Sequence, residues 1–268
     1  MGTESTEPSS IQEDLAEALA AGQFFLVYQP TIDLETNGFA GVEGLLRWRH
    51  PTRGVLGPEL FIDELEANGE IVPVGRWALR TACRDGAAWH DKGYRFNVSV
   101  NISPRQFSYD GFYGDVADAL RESRFDPSLF ILEFGVATLT EDQDSSRQRL
   151  AALRELGVRI AVDDFEPGQS ALDVIQAFAI DIVKLDRDFT ASLATSSGDA
   201  SLVHSLVQLS ESRHIQVIAA GIEDSDQRAT LQNERVQVGQ GYLFSHPYEA
   251  AEIDTYLEDF SIFSGKPL

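Results

Sequence analysis

The feature that most constrains the fold is an alternation that runs through the last two-thirds of the chain. Apolar strand-like runs over 94–101, 129–134, 158–162, 180–184, 216–219 and 236–239 are each followed by a helical pattern. Those helices are placed over 112–123, 143–156, 170–178, 201–213, 225–234 and 248–257, with Gly157 stopping the second of them. The opening is different. A short helix over 12–21 carries Leu15, Leu19 and Ala20 on one side, and strands over 24–29 and 39–48 flank the turn Glu35-Thr36-Asn37-Gly38. That arrangement is a hairpin. After Pro51–Pro58, helices over 61–67 and 74–92 lead into the alternation. About eight strands over roughly 240 residues fit a closed α/β barrel of (β/α)8 type, with an antiparallel strand near the N-terminus, better than an open doubly wound sheet.

Residues 1–12 read as a disordered acidic tail, 13–262 as one barrel domain and 263–268 as a C-terminal tail. The net charge of −22 argues against a DNA or RNA surface, because backbone binding needs clustered Lys and Arg to displace counterions. A small anionic ligand is still admissible where a divalent cation or a local arginine neutralises it. The single cysteine, Cys83, cannot form an internal disulfide. Residues 1–14 lack the basic and apolar regions of a secretory signal, and no apolar run reaches the eighteen or so residues of a membrane span. The expected setting is cytoplasmic, with no membrane contact by this chain itself.

Polar residues recur where the strands stop. Glu43 lies inside VEGLLRW, Asn101 ends FNVSVN, Glu133 ends FILE, Asp163 and Asp164 end RIAV, and Lys184 ends DIVK. In a parallel barrel the C-terminal strand ends face a site. Four strand-end carboxylate positions, an amide and a lysine converging there suit a hard cation such as Mg²⁺ or Mn²⁺. Such a site could act on a phosphoryl group, with Lys184 holding the attacking water. Taken singly, each residue also has a plain structural reading. Asn101 could turn the chain, Lys184 could pair with Asp181 or Asp186, and Glu43 could be a lone barrel polar group.

Glu43-Gly44-Leu45-Leu46-Arg47-Trp48 resembles the E-A-L-L-R-W signature of EAL domains, with glycine for alanine. Gln29-Pro30, Asn101-Ile102-Ser103, Asp163-Asp164-Phe165, Lys184-Leu185-Asp186 and Gln240-Gly241-Tyr242 are similar to that family's other motifs, in order, from about Phe24 to Pro247. The resemblance implies a modified TIM barrel that hydrolyses cyclic di-GMP to pGpG with Mg²⁺ or Mn²⁺. It also implies Glu43, Asn101, Glu133, Asp163 and Asp164 as metal ligands and Lys184 as the residue that positions water. Gln29, Leu45, Arg47, Asp164, Gln240, Phe244 and Pro247 would meet the nucleotide.

Three departures fall on parts that work together. The family's A-E-G-V-E appears as Ala219-Ala220-Gly221-Ile222-Glu223, so the glutamate of the metal and water site is Ala220. The second glutamate of L-E-x-x-E is Val136, and the D-D-F-G-T-G loop becomes Asp163-Asp164-Phe165-Glu166-Pro167-Gly168. Where the family glycine has positive φ, Glu166 would be strained, and Pro167 restricts it further. A methyl neither ligates a cation nor accepts a proton, so metal binding should be weakened and turnover severely reduced or absent. Glu223 or Glu166 reaching the metal would compensate, and Glu223 is the candidate catalytic carboxylate on that reading. The pattern therefore admits three activities: a cyclic di-GMP receptor or partner-binding module (a protein partner or a homodimer included), a working phosphodiesterase, and an interaction domain that no longer binds nucleotide.

Overall fold

The computed structural model describes residues 11–166, 169–193 and 197–264. Among them ten strands form one sheet: β1 (Phe24–Asp33), β2 (Phe39–His50), β3 (Gly54–Leu56), β4 (Asn97–Ile102), β5 (Phe130–Gly135), β6 (Arg159–Phe165), β7 (Ile182–Leu185), β8 (Gln216–Ala219), β9 (Val238–Gln240) and β10 (Tyr248–Glu249). The order is β10-β1-β9-β8-β7-β6-β5-β4-β2-β3, and a further β1–β2 pairing closes eight of the strands into a barrel. β1 runs antiparallel to both its barrel neighbours, β2 and β9, while β2 and β4 through β9 are mutually parallel. The barrel with an antiparallel strand near the N-terminus is therefore what the chain adopts.

Strand alternation sorts the side chains into two cores. Ile131, Ala161, Ile182, Ile218 and Val238 form one apolar layer inside the barrel. The residues between them in sequence, such as Leu132, Val162, Val183 and Val217, join the larger core beneath the surrounding helices. Parallel strands buried on both faces read as continuous apolar runs, which is why they were visible in the sequence. Below the inner layer, the Arg159 guanidinium donates to Asn97 Oδ1 at 3.5 Å and Gln216 Oε1 at 3.2 Å. The first helix, Ile11–Ala18, docks through Leu15 and Ala18 on Trp48, Phe61 and Leu65, with Asp14 held to the buried His50 at 2.9 Å.

Several boundaries differ from the sequence reading, each for a local reason. Ile11 and Gln12, assigned to the tail, are helical because Ile11 packs on the Trp48 cluster. The strand expected from 94 starts at Asn97, since the Tyr94 N–H still closes the preceding helix on Trp89 O. Residues 248–249 pair with β1 as β10, so the last helix begins at Ala250 and continues through 263 and 264 to Ser264. Three short helices, Pro104–Ser108, Val136–Thr140 and Arg187–Ser192, follow β4, β5 and β7 directly. Residues 1–10 and 265–268 of the expected tails, and Pro167-Gly168, lie outside the described residues.

Candidate functional site

Because β2, β4, β5, β6 and β7 are parallel, their C-terminal ends share one mouth of the barrel, and the strand-end polar residues meet there. Lys184 on β7 is the hub. Its Nζ donates to Glu43 Oε2 at 2.7 Å, Glu133 Oε2 at 2.8 Å and Asp163 Oδ2 at 3.4 Å. Glu43, Glu133 and Lys184 are 4–5% exposed, so these ionisable groups are taken out of water and lean on one another for compensation. Asn101 Nδ2 donates to Glu43 Oε1 at 2.7 Å, and Gln240 Nε2 donates to Glu43 Oε2 at 2.7 Å and to Gln29 Oε1 at 3.1 Å. Gln29 in turn donates to Ser245 O at 3.3 Å, which ties β1 to the loop that follows β9.

Burial opposes every charge here, and the neighbours decide the outcome. Burial works against Glu43 ionising, but Lys184 and the donors from Gln240 and Asn101 hold its carboxyl below the usual range. Glu133 has fewer donors. Burial and then the Glu43 charge push it up to about 8, against the pull of Lys184. Burial raises Asp163 as well. For Lys184 burial disfavours the ammonium, yet the three carboxylates overcome it and hold its pKa well above the ordinary lysine value.

Glu43, Glu133 and Asp163 each offer an oxygen, and these atoms lie within 4.8 Å of one another. An all-oxygen carboxylate set of this kind fits Mg²⁺ or Mn²⁺. Gln240 Oε1, buried with no partner among the described residues, is a further acceptor on the same wall. A cation entering must displace the proton from Glu133, so its affinity should rise with pH. One proton released per ion gives up to about tenfold per unit below pH 8 and a plateau above it. Calorimetric titration of Mn²⁺ between pH 6 and 9 measures this, and a flat profile would contradict it.

The remaining predicted residues take different places. Asp164 does not join the cluster. It is exposed at the rim with φ +53°, and its N–H donates to Asp163 Oδ1 at 2.9 Å. Glu166 is not at positive φ, so the left-handed residue of this loop is Asp164 and the expected strain at Glu166 is corrected. Aspartate tolerates that conformation because its short polar side chain can satisfy local backbone groups. Glu223 does not reach the carboxylates either, being exposed and paired with Arg187 at 2.6 Å. Val136 opens the helix Val136–Thr140 and packs on the main core in place of a polar contact. Leu45 lines an apolar hollow of about 500 Å³ with Leu26, Val74 and Val100, and Asn101 and Asp164 also border it. Arg47 is half-buried and donates to Leu46 O at 2.9 Å. Phe244 packs on the core with the Arg228 guanidinium 5.8 Å above its ring, and Pro247 is half-buried just before β10.

A second cleft, of about 160 Å³, opens beside Lys184. Ala220 lines it with Arg187, Gly221, Glu223 and Tyr242, so the substituted position is in the site wall. Arg187 and Tyr242 were not singled out as site residues from sequence. Arg187 stands immediately after the Lys184-Leu185-Asp186 string, and the adjacency of β7 and β8 is what brings it to Glu223.

The family model for the EAL domain matches residues 12–247. The chain is 34% identical over 264 residues to the cyclic di-GMP phosphodiesterase NbdA of Pseudomonas aeruginosa, covering 98% of this chain and 34% of that protein. It is 35% identical over 254 residues to the bifunctional diguanylate cyclase/cyclic di-GMP phosphodiesterase MucR of the same organism, covering 94% and 37%. The chain thus spans about a third of the length of these curated relatives. The solved structure described as PaMucR phosphodiesterase in complex with c-di-GMP superposes with a TM-score of 0.86 at 35% identity, covering 91% of this chain and 99% of that one. With the strand-end carboxylates gathered at one mouth of a barrel that has a single antiparallel member, and with the match running over nearly its whole length, the chain belongs to the EAL domain family.

Proposed function

We propose that this EAL domain binds cyclic di-GMP at the mouth of the barrel and hydrolyses it poorly or not at all, acting as a receptor or as a partner-binding module. The observation that carries this reading is Ala220. Its methyl lines the cleft beside Lys184, where the family pattern has a carboxylate. Nucleotide binding draws on other parts. Arg47 brings a guanidinium suited to a phosphate, and the hollow at Leu45 is apolar enough for a base. The relatives of known nucleotide specificity, at 34–35% identity, support the ligand class.

Glu43, Glu133 and Asp163, with the amide of Asn101 beside them, are the residues that would hold Mg²⁺ or Mn²⁺. Such an ion, when bound, supplies Lewis-acid polarisation of a phosphodiester. Lys184 keeps the carboxylates together from a fixed position, its ammonium directed at Glu43, Glu133 and Asp163. With Ala220 and an outward Glu223, the inward carboxylate in that cleft wall is Glu43, whose oxygens already accept from Lys184, Asn101 and Gln240 and are not free to take the proton of attacking water. The intact three-carboxylate cluster favours a second reading, a phosphodiesterase that works without a carboxylate at 220.

Calorimetric titration of cyclic di-GMP with excess Mg²⁺, then with EDTA, followed by chromatography of the recovered nucleotide, separates the readings. Binding with intact nucleotide supports the receptor. Conversion to pGpG establishes the second reading, and absence of both leaves a domain that acts only through protein contacts.

A further inference from the structure

We propose that Arg187 is a phosphate-binding residue of the mouth and that Glu223 holds it in reserve, competing with the incoming phosphodiester for the same guanidinium. This deepens the cyclic di-GMP reading above and rests on it. Lys184, although cationic, is committed to three carboxylates and cannot turn to a phosphate without stripping them. Arg187 lines the adjoining cleft with Ala220 and Glu223. Its partner among the described residues is Glu223 at 2.6 Å, with side chains 63% and 50% exposed, and pairs this exposed are weak. A phosphodiester offers the guanidinium two oxygens at once, which a carboxylate shared with solvent does not improve on.

The chain is shaped to keep Arg187 there. Its stem crosses Gly221, where a Cβ would collide with the Arg187 Cγ, and Gly221 sits at φ +73°, a conformation glycine adopts freely. Asp186 accepts from the N–H groups of Asp188 and Phe189 and so fixes the start of the helix that carries Arg187. On the other side, Gln227 accepts from the Glu223 N–H at 2.7 Å and fixes the backbone that carries the competing carboxylate. The methyl of Ala220 completes the arrangement, since it neither repels a phosphate nor draws the guanidinium inward.

The test is a double-mutant cycle on cyclic di-GMP affinity by calorimetry, with Arg187→Ala, Glu223→Gln and the pair. Both side chains are exposed, and circular dichroism checks that each variant folds. Arg187→Ala should weaken binding by about tenfold, and Glu223→Gln should tighten it by roughly two- to fivefold. In the Arg187→Ala background, Glu223→Gln should change nothing. An equal effect of Glu223→Gln with and without Arg187, or unaltered affinity in Arg187→Ala, would overturn the proposal. If the parent chain binds no cyclic di-GMP, the nucleotide reading fails by itself. Dimethyl phosphate, followed through the Arg187 Nε–H resonance, then judges the pair: a larger shift in Glu223→Gln supports it, and no shift in either protein refutes it.

Discussion

Replacing Ala220 with glutamate should raise pGpG release from cyclic di-GMP by about a hundredfold or more over the parent chain, the range typical of a positioned general acid or base. The backbone is ready for it. Ala220 follows β8 at once, and its N–H donates to Leu185 O at 3.2 Å, which holds the position beside β7 one residue past Lys184. The side chain there enters a cleft of about 160 Å³ in which a carboxylate can be accommodated. A gain of a hundredfold corresponds to about 2.7 kcal/mol of transition-state stabilisation. The measurement is single-turnover conversion at saturating Mn²⁺, with nucleotide binding titrated on the same sample. Unchanged turnover with binding retained would move the defect to the neighbouring ends of β5 and β6, where Val136 just after β5 packs on the core and Asp164 near the end of β6 holds the left-handed conformation. Substantial turnover in the parent chain would instead mean that the methyl is tolerated.

The barrel was legible because parallel strands covered on both faces have an unmistakable pattern: Ile160-Ala161-Val162 or Ile182-Val183 offers no polar side to water. The candidate site was legible for a related reason. Side chains alternate across a strand, so a polar residue on the inward register at a C-terminal end, such as Glu133 after Ile131, must enter the mouth. What the sequence could not show depends on adjacency between strands. That Lys184 bonds three carboxylates from β2, β5 and β6 follows from barrel closure, and the plain surface pairings with Asp181 or Asp186 were equally compatible with the string DIVKLD. In the structure Asp181 pairs with Arg154 and Asp186 caps a helix, which leaves Lys184 to the interior.

The positive φ of Asp164 was unreadable for a different reason. Glycine marks such positions in sequence, and here an aspartate carries it while Glu166, in the place of the family glycine, does not. Likewise, Glu223 looked like a substitute carboxylate because it lies three residues beyond Ala220. The turn through Gly221 sends it outward to Arg187. Short-range sequence distance is a poor guide wherever the chain reverses within a few residues.

Lys184→Met should strongly destabilise the fold. It removes the ammonium from among three carboxyls while leaving them buried, and breaking a buried ion pair from one side typically costs about 3–5 kcal/mol. For a chain of this size that is a fall of about 10 °C in Tm. The loss should depend on pH in a definite direction. Glu133 and Asp163 already lie above the ordinary carboxyl value, and Lys184 is what pulls them down. Without it their folded pKa values rise further, so the neutral carboxyls are compatible with the fold in acid. Stability is then lost as pH climbs from the ordinary carboxyl range to beyond about 8, where Glu133 titrates in the parent chain. Because Lys184 also holds Glu43 below the usual range, part of the loss is already present at pH 5, and the gap between variant and parent should grow from there to its largest above pH 8, measured by thermal unfolding in EDTA. Two additions should narrow it. Mn²⁺ can take over the neutralising charge if the carboxylates hold a cation, and Glu133→Gln in the same background removes one of the repelling groups. A Lys184→Met variant as stable as the parent across this range would mean that the three carboxyls do not carry the charges on which this account of the site depends.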